Sequence, residues 1–173
     1  GAGASETLIV VGGLDYAYDL SPLLTPSNRL DGMGPIIYAT HPYPLKSNPP
    51  SMAPEWDSKF GNVAQQVPVL IGGGGKRVLG IAAREADIVG INPSMHTGVV
   101  GPETFGHMTA ESVDEKVAIV QAAAGDRFQD IELNIRAFLV NVTDDGAGAR
   151  GRLASMLGVG DDMLVTSPFA LIG

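Results

Sequence analysis

The chain has 173 residues, of which 45% are hydrophobic, with a formal net charge of −8 and no cysteine. That length and apolar content suit one domain with a buried core and exclude a disordered chain. The acidic balance, without a basic run, argues against nucleic acid and anionic membranes as partners, and the missing cysteine removes disulfides, thiol nucleophiles and thiolate metal sites.

Gly1 to Ser5 reads as a flexible lead-in or cloning scar, and residues 6–173 as a single α/β domain. No apolar run reaches the roughly 18 residues of a membrane span and no signal-peptide core is visible, so a cytoplasmic protein is expected. Leu8 to Val11 is the first predicted strand, ended by Gly12-Gly13. Asp19 and Ser21-Pro22 open a short helix that Pro26 stops. Ile36 to Thr40 is the second strand, followed by a proline-rich loop and a helix from about Glu55 to Gln66.

Val67 to Ile71 is the third strand and leads into Gly72-Gly73-Gly74-Gly75. Lys76 to Ala86 is a helix presenting Val78, Ala82 and Ala86 on one face, and Ile88 to Ile91 is the fourth strand. A loop from Asn92 to Met108 precedes a helix from Thr109 to Ala124, with Thr109 as cap and Val113, Val117, Val120 and Ala124 at helical spacing. Leu133 to Val142 is the fifth strand, and the tail reads as helices at 147–157 and 161–171.

Apolar runs alternating with amphipathic stretches predict repeated βα units with about five parallel strands. The chain is too short for a whole (β/α)₈ barrel, typically about 250 residues. A partial (β/α)-barrel or a small open doubly wound sheet is therefore expected. Such a sheet leaves open edges, and association into a homo-oligomer through them is expected.

Two resemblances meet at the glycine run. Leu8 to Ser21, then Tyr38-Ala39-Thr40-His41-Pro42-Tyr43-Pro44, Trp56-Asp57 and Val67 to Gly72, resemble the later barrel strands of a glycoside hydrolase family 5 cellulase. This resemblance covers residues 6–75 and implies His41, Tyr43 and Trp56 as sugar-binding candidates. It also puts Gly73 where the nucleophilic glutamate stands in that family. The acid/base motif belongs to an earlier strand, so both carboxylates of retaining hydrolysis are missing.

Pro68 to Leu79, Ala82 to Asn92, Asp114 to Val117, Ala123 to Phe128 and Ser167 to Gly173 resemble the back part of a luciferase-like, flavin- or deazaflavin-dependent oxidoreductase. The resemblance implies that Gly73, Gly74, Gly75, Lys76 and Arg77 face the phosphate of FMN or a deazaflavin. Glycine backbone at a helix start offers N–H groups to an anion, which is the physical basis of such a site. The run fits neither a Walker loop nor a dinucleotide fingerprint.

His41, His96 and His107 are the only histidines and show no ligand spacing, so no metal site is expected. Asp144-Asp145 and Asp161-Asp162 read as turn and cap residues. The sequence is thus read as a chimera of two barrel fragments with a seam at 68–75. Its expected role is that of a folded scaffold without a complete inherited active site. The alternatives are an oxidoreductase remnant binding a flavin or deazaflavin phosphate, and a cellulase-like sugar-binding remnant.

Overall fold

The computed structural model describes residues 8–41, 53–94 and 102–173. Its centre is an all-parallel sheet of β1 (Ile9–Gly12), β2 (Ile36–Thr40), β3 (Val69–Gly73), β4 (Ile88–Ile91) and β5 (Glu132–Ile135), hydrogen-bonded in that order. Aliphatic, largely β-branched runs favour β1 to β4, whereas β5 carries Glu132 and Asn134 on one face and is exposed throughout. The order runs in a single direction, the arrangement of a partial barrel, and right-handed crossovers then put the connecting helices on one face.

That covered face is the core. Val11, Tyr38, Val69, Ile71, Val89 and Ile91 pack from the sheet against the helices. The helix layer consists of α1 (residues 53–64, with a wide turn at Asp57–Gly61), α2 (Lys76–Glu85) and α4 (Ala110–Ala124). A short α3 (Pro102–Phe105) precedes α4, and residues 21–28 form two single 3₁₀ turns. Leu79, Ala82 and Ala83 are the buried stripe of α2. Arg127 closes the carboxyl end of α2, donating to the carbonyls of Ala83 at 2.9 Å and Ala86 at 2.6 Å. A guanidinium there satisfies orphan acceptors at the negative end of the helix dipole. Thr109 caps α4, its hydroxyl accepting from the Ser112 N–H at 3.2 Å.

The third strand begins at Val69 and continues to Gly73, so Gly72 and Gly73 belong to the sheet and not to the turn. The predicted fifth strand is not continuous. It breaks at residues 136–138 into β5 and β6 (Leu139–Asn141), and β6 pairs in parallel with β7 (Ala170–Ile172). The chain thus changes partner, from β4 on one side to β7 on the other. The predicted helix at 161–171 is corrected accordingly: α6 spans Asp161–Thr166, residues 167–169 turn, and β7 begins at Ala170. Ser167 makes the bend, since its hydroxyl donates to the Met108 carbonyl at 2.5 Å and accepts from the Phe169 N–H at 3.2 Å. Between β6 and α6 runs α5 (Gly146–Leu157), capped by Asp145 through the Gly148 N–H.

One polar residue in the helix layer is costly. Lys116 on α4 is only 5% exposed, and its ammonium reaches the hydroxyl of Ser112 at 2.5 Å and the Ser112 carbonyl at 3.2 Å. Burial holds its pKa below the ordinary 10.5, against a small opposing pull from Glu115. A folded-state pKa below the unfolded one means the unfolded chain binds more protons in that window. The penalty is therefore fully present at neutral pH and fades as the pH climbs toward 10.5. Lys116→Met is expected to raise the melting temperature at neutral pH. The gap to the parent should narrow in alkaline buffer; a gap constant across that range would show that the ammonium is not penalised.

Candidate functional site at the carboxyl rim of the sheet

Parallel α/β sheets keep their ligand sites outside the carboxyl ends of the strands, where loops and helix starts converge. In this protein the ends of β2, β3 and β4 meet over one glycine. Thr40 pairs with Ile71, so His41 comes level with Gly72 on the sheet face opposite the helices. A Cβ on Gly72 would stand 3.0 Å from His41 Cε1 and 3.1 Å from both His41 Nδ1 and Asn92 Nδ2. The imidazole and the carboxamide therefore close over a bare Cα. Gly90 lies alongside, and its Cβ would stand 3.1 Å from the Gly72 Cα. Two glycines side by side thus make a floor, and two polar side chains from neighbouring strands roof it.

The end of β1 adds a strained turn. Asp15, Tyr16 and Ala17 have φ of 54°, 60° and 62°, three consecutive left-handed residues without a glycine. Each costs about 1–2 kcal/mol relative to ordinary backbone, and strain of this kind gathers at functional sites. The turn is held from below, because the His41 N–H donates to the Ala17 carbonyl at 2.7 Å. Gly13 is required at its entrance, where a Cβ would stand 2.6 Å from the Asp19 carbonyl oxygen. The turn leaves Tyr16 86% exposed at the rim.

The glycine run divides into distinct roles. A Cβ on Gly73 would collide with Val78 Cγ1, in the helix layer, while one on Gly74 would collide with the Pro93 carbonyl. Ser94 pins the same turn, its hydroxyl donating to the Gly74 carbonyl at 2.7 Å. Gly75 has open space on its Cβ side and an extended backbone, φ −98° and ψ 148°. It starts α2 without any side-chain cap. Among the described residues no side chain caps the first N–H groups of α2, the kind of donors that an anion can use.

The remaining candidates from sequence are not gathered here. Lys76 and Arg77 line a groove on the outer surface of the helix layer, and the Arg77 guanidinium sits 5.7 Å from the centre of the Trp56 ring. Trp56 is 5% exposed and packs against Phe60 with ring centroids 6.2 Å apart, within the helix-side core. His41 and Trp56 therefore belong to opposite faces of the sheet and cannot grip one sugar ring together. Tyr43 and His96 lie outside the described residues, and His107 stands in the turn after α3. Among the described residues no three His, Cys, Asp or Glu side chains are grouped to hold a metal, and no helix is long and apolar enough to cross a membrane.

The acids near β1 are committed to structure. The Tyr18 hydroxyl donates to Glu55 Oε1 at 2.6 Å, and burial together with that carboxylate pushes the phenol well above its ordinary pKa. Burial would raise the Asp19 carboxyl as well, but the Lys59 ammonium at 2.7 Å and Ser21 outweigh it and hold the group below its ordinary value. Both contacts tie α1 to the β1 loop. By contrast, the His41 ring has no hydrogen-bond partner among the described residues. Asn92 and Tyr16, which complete the rim, lie within the stretches that carry the two resemblances but are not singled out by either as site residues.

The rim is equipped to hold an anion and a flat polar ligand: N–H groups at a helix start, an imidazole, a carboxamide and an exposed phenol. Compared with known protein families, curated proteins and solved structures, the chain matches none.

Proposed function

We propose that the protein is a βα-repeat scaffold that binds a small phosphate-bearing ligand at the carboxyl rim of its sheet. The observation that carries this reading is the convergence of His41 and Asn92 over the Gly72–Gly90 floor. The uncapped first turn of α2 beside it supplies the anion seat, and Tyr16 offers an aromatic surface. FMN or a deazaflavin mononucleotide is the ligand class implied by the resemblance of residues 68–173 to the luciferase-like oxidoreductases. Binding is proposed without turnover, since hydride transfer needs the ring system held against a second substrate.

The chimera reading rests on the two sequence resemblances that meet at 68–75, where β3 pairs with β2 on one side and β4 on the other. Self-association is supported by the outer edge of β1, where Leu8, Ile9 and Val10 are 49%, 40% and 53% exposed. An apolar edge strand that pairs on one side alone among the described residues is a template for a second strand.

Titration with FMN, followed by quenching of flavin fluorescence, tests the ligand reading. Saturable binding is expected, and His41→Ala combined with Asn92→Ala should weaken it roughly tenfold or more, the worth of one to two hydrogen bonds to a charged group. No binding at millimolar FMN, or equal binding by the double variant, would overturn it.

A further inference from the structure

The helix layer carries a second recess, unrelated to the rim. A groove of about 900 Å³ runs over the outer surface of α2, between α1 and α4. Its apolar wall is Ile81, Ile119, Ala118 and Ala122, and its charged residues are Lys76, Arg77 and Arg84 against Asp57 and Glu85. The volume lies in the range of small-molecule sites.

The middle of its floor is Gly80, inside a ten-residue helix. A mid-helix glycine needs a reason, because it weakens the helix relative to alanine. Internal packing supplies none here: a Cβ at Gly80 would meet only Arg84 Nη1, at 3.6 Å, an ordinary contact. Packing therefore does not demand the glycine, which leaves a bare floor that within the protein only the Arg84 side chain approaches. The same distance shows that the Arg84 guanidinium folds back one turn over Gly80. Arg84, exposed along the groove, makes no ion pair or hydrogen bond through its side chain among the described residues, although Asp57 and Glu85 line the same groove.

We propose that this groove binds an amphipathic monocarboxylate, its apolar body lying on Ile81, Ile119 and Ala122 and its carboxylate paired with Arg84. Charge complementarity selects the acid over the corresponding alcohol, because a guanidinium pairs with a carboxylate through two parallel hydrogen bonds. The open floor at Gly80 selects an elongated or flat body over a bulky one.

The test uses anilinonaphthalene sulfonate as a fluorescent amphipathic anion, displaced by dodecanoate or by dodecanol. Saturable dye binding is expected, with dodecanoate displacing it at about a tenfold lower concentration than dodecanol, the size of one charge-assisted pair. Arg84→Gln should erase that difference between acid and alcohol. Gly80→Leu, which fills the floor and favours the helix, should abolish displaceable binding while circular dichroism stays unchanged. His41→Ala should leave both untouched, which separates this groove from the rim. Equal displacement by acid and alcohol, or dye binding that survives both Gly80→Leu and Arg84→Gln, would overturn the proposal.

Discussion

Gly73→Glu is expected to destabilise the protein by about 3 kcal/mol, the upper end of overpacking costs, and to produce no glycoside hydrolysis. The substitution would restore the residue type that the cellulase resemblance demands at this position. The pleat of β3 directs it the wrong way. Successive strand residues face opposite sides, and Gly72 is the one beneath His41, so position 73 faces the helices. A Cβ there would stand 2.9 Å from Val78 Cβ and collide with its Cγ1, while the carboxylate behind it would enter the apolar layer around Leu79 and Ile91. Burial of an unpaired carboxylate adds a further cost. Urea denaturation of the variant, with a cello-oligosaccharide assay on the folded fraction, reads both halves of the expectation. Unchanged stability would mean that β3 is shifted by one residue from this register, and measurable hydrolysis would mean that another carboxyl of the chain serves as acid/base.

Phe60→Ala is expected to cost more, about 3–5 kcal/mol, as for other fully buried aromatic truncations. Phe60 is 1% exposed and sits on the wide turn of α1, packed against Trp56. Its helix is also held to the β1 loop by the Leu20 N–H donating to the Lys59 carbonyl at 2.8 Å. A cavity at Phe60 therefore loosens the attachment of α1 to both sheet and loop. Chemical denaturation should show the midpoint falling by that amount, whereas Val142→Ala, at a position 90% exposed, should stay within about 0.5 kcal/mol of the parent. Comparable losses in the two variants would contradict the placement of Phe60 in the core of the helix layer.

The parallel sheet and its helix layer were legible because they rest on local patterns. Ile36 to Thr40 and Ile88 to Ile91 read as strands and are strands with the same bounds, and the helix ending at Ala124 begins after its Thr109 cap as expected. What failed was set by partners distant in sequence. Leu133 to Val142 is rich enough in apolar residues to read as one strand, yet residues 136–138 break it because its second half pairs with β7 instead of β4. Ala170 to Ile172 reads as the end of a helix but becomes that partner strand, after Ser167 is fixed to the Met108 carbonyl.

The site was legible only in part, for a similar reason. The glycine run announces a close approach of backbone, but which face each glycine serves depends on the exit register of β3. That register assigns Gly72 to the rim, Gly73 to Val78 and Gly74 to Pro93. Trp56 and His41, joined by a family motif in sequence, are separated by the thickness of the sheet. Asn92 stands beside His41 only because β2 and β4 flank β3, a relation that no spacing along the chain expresses.

The most direct measurement of the central claim is histidine NMR on the whole chain, following the ring Cε1–H resonances while FMN or inorganic phosphate is added. Three resonances are available for three histidines, assigned by single His→Gln variants. The His41 resonance is expected to move saturably with added ligand while that of His107 stays in place. A stationary His41 resonance at millimolar ligand, or a shift shared equally with His107, would contradict a ligand site at the rim.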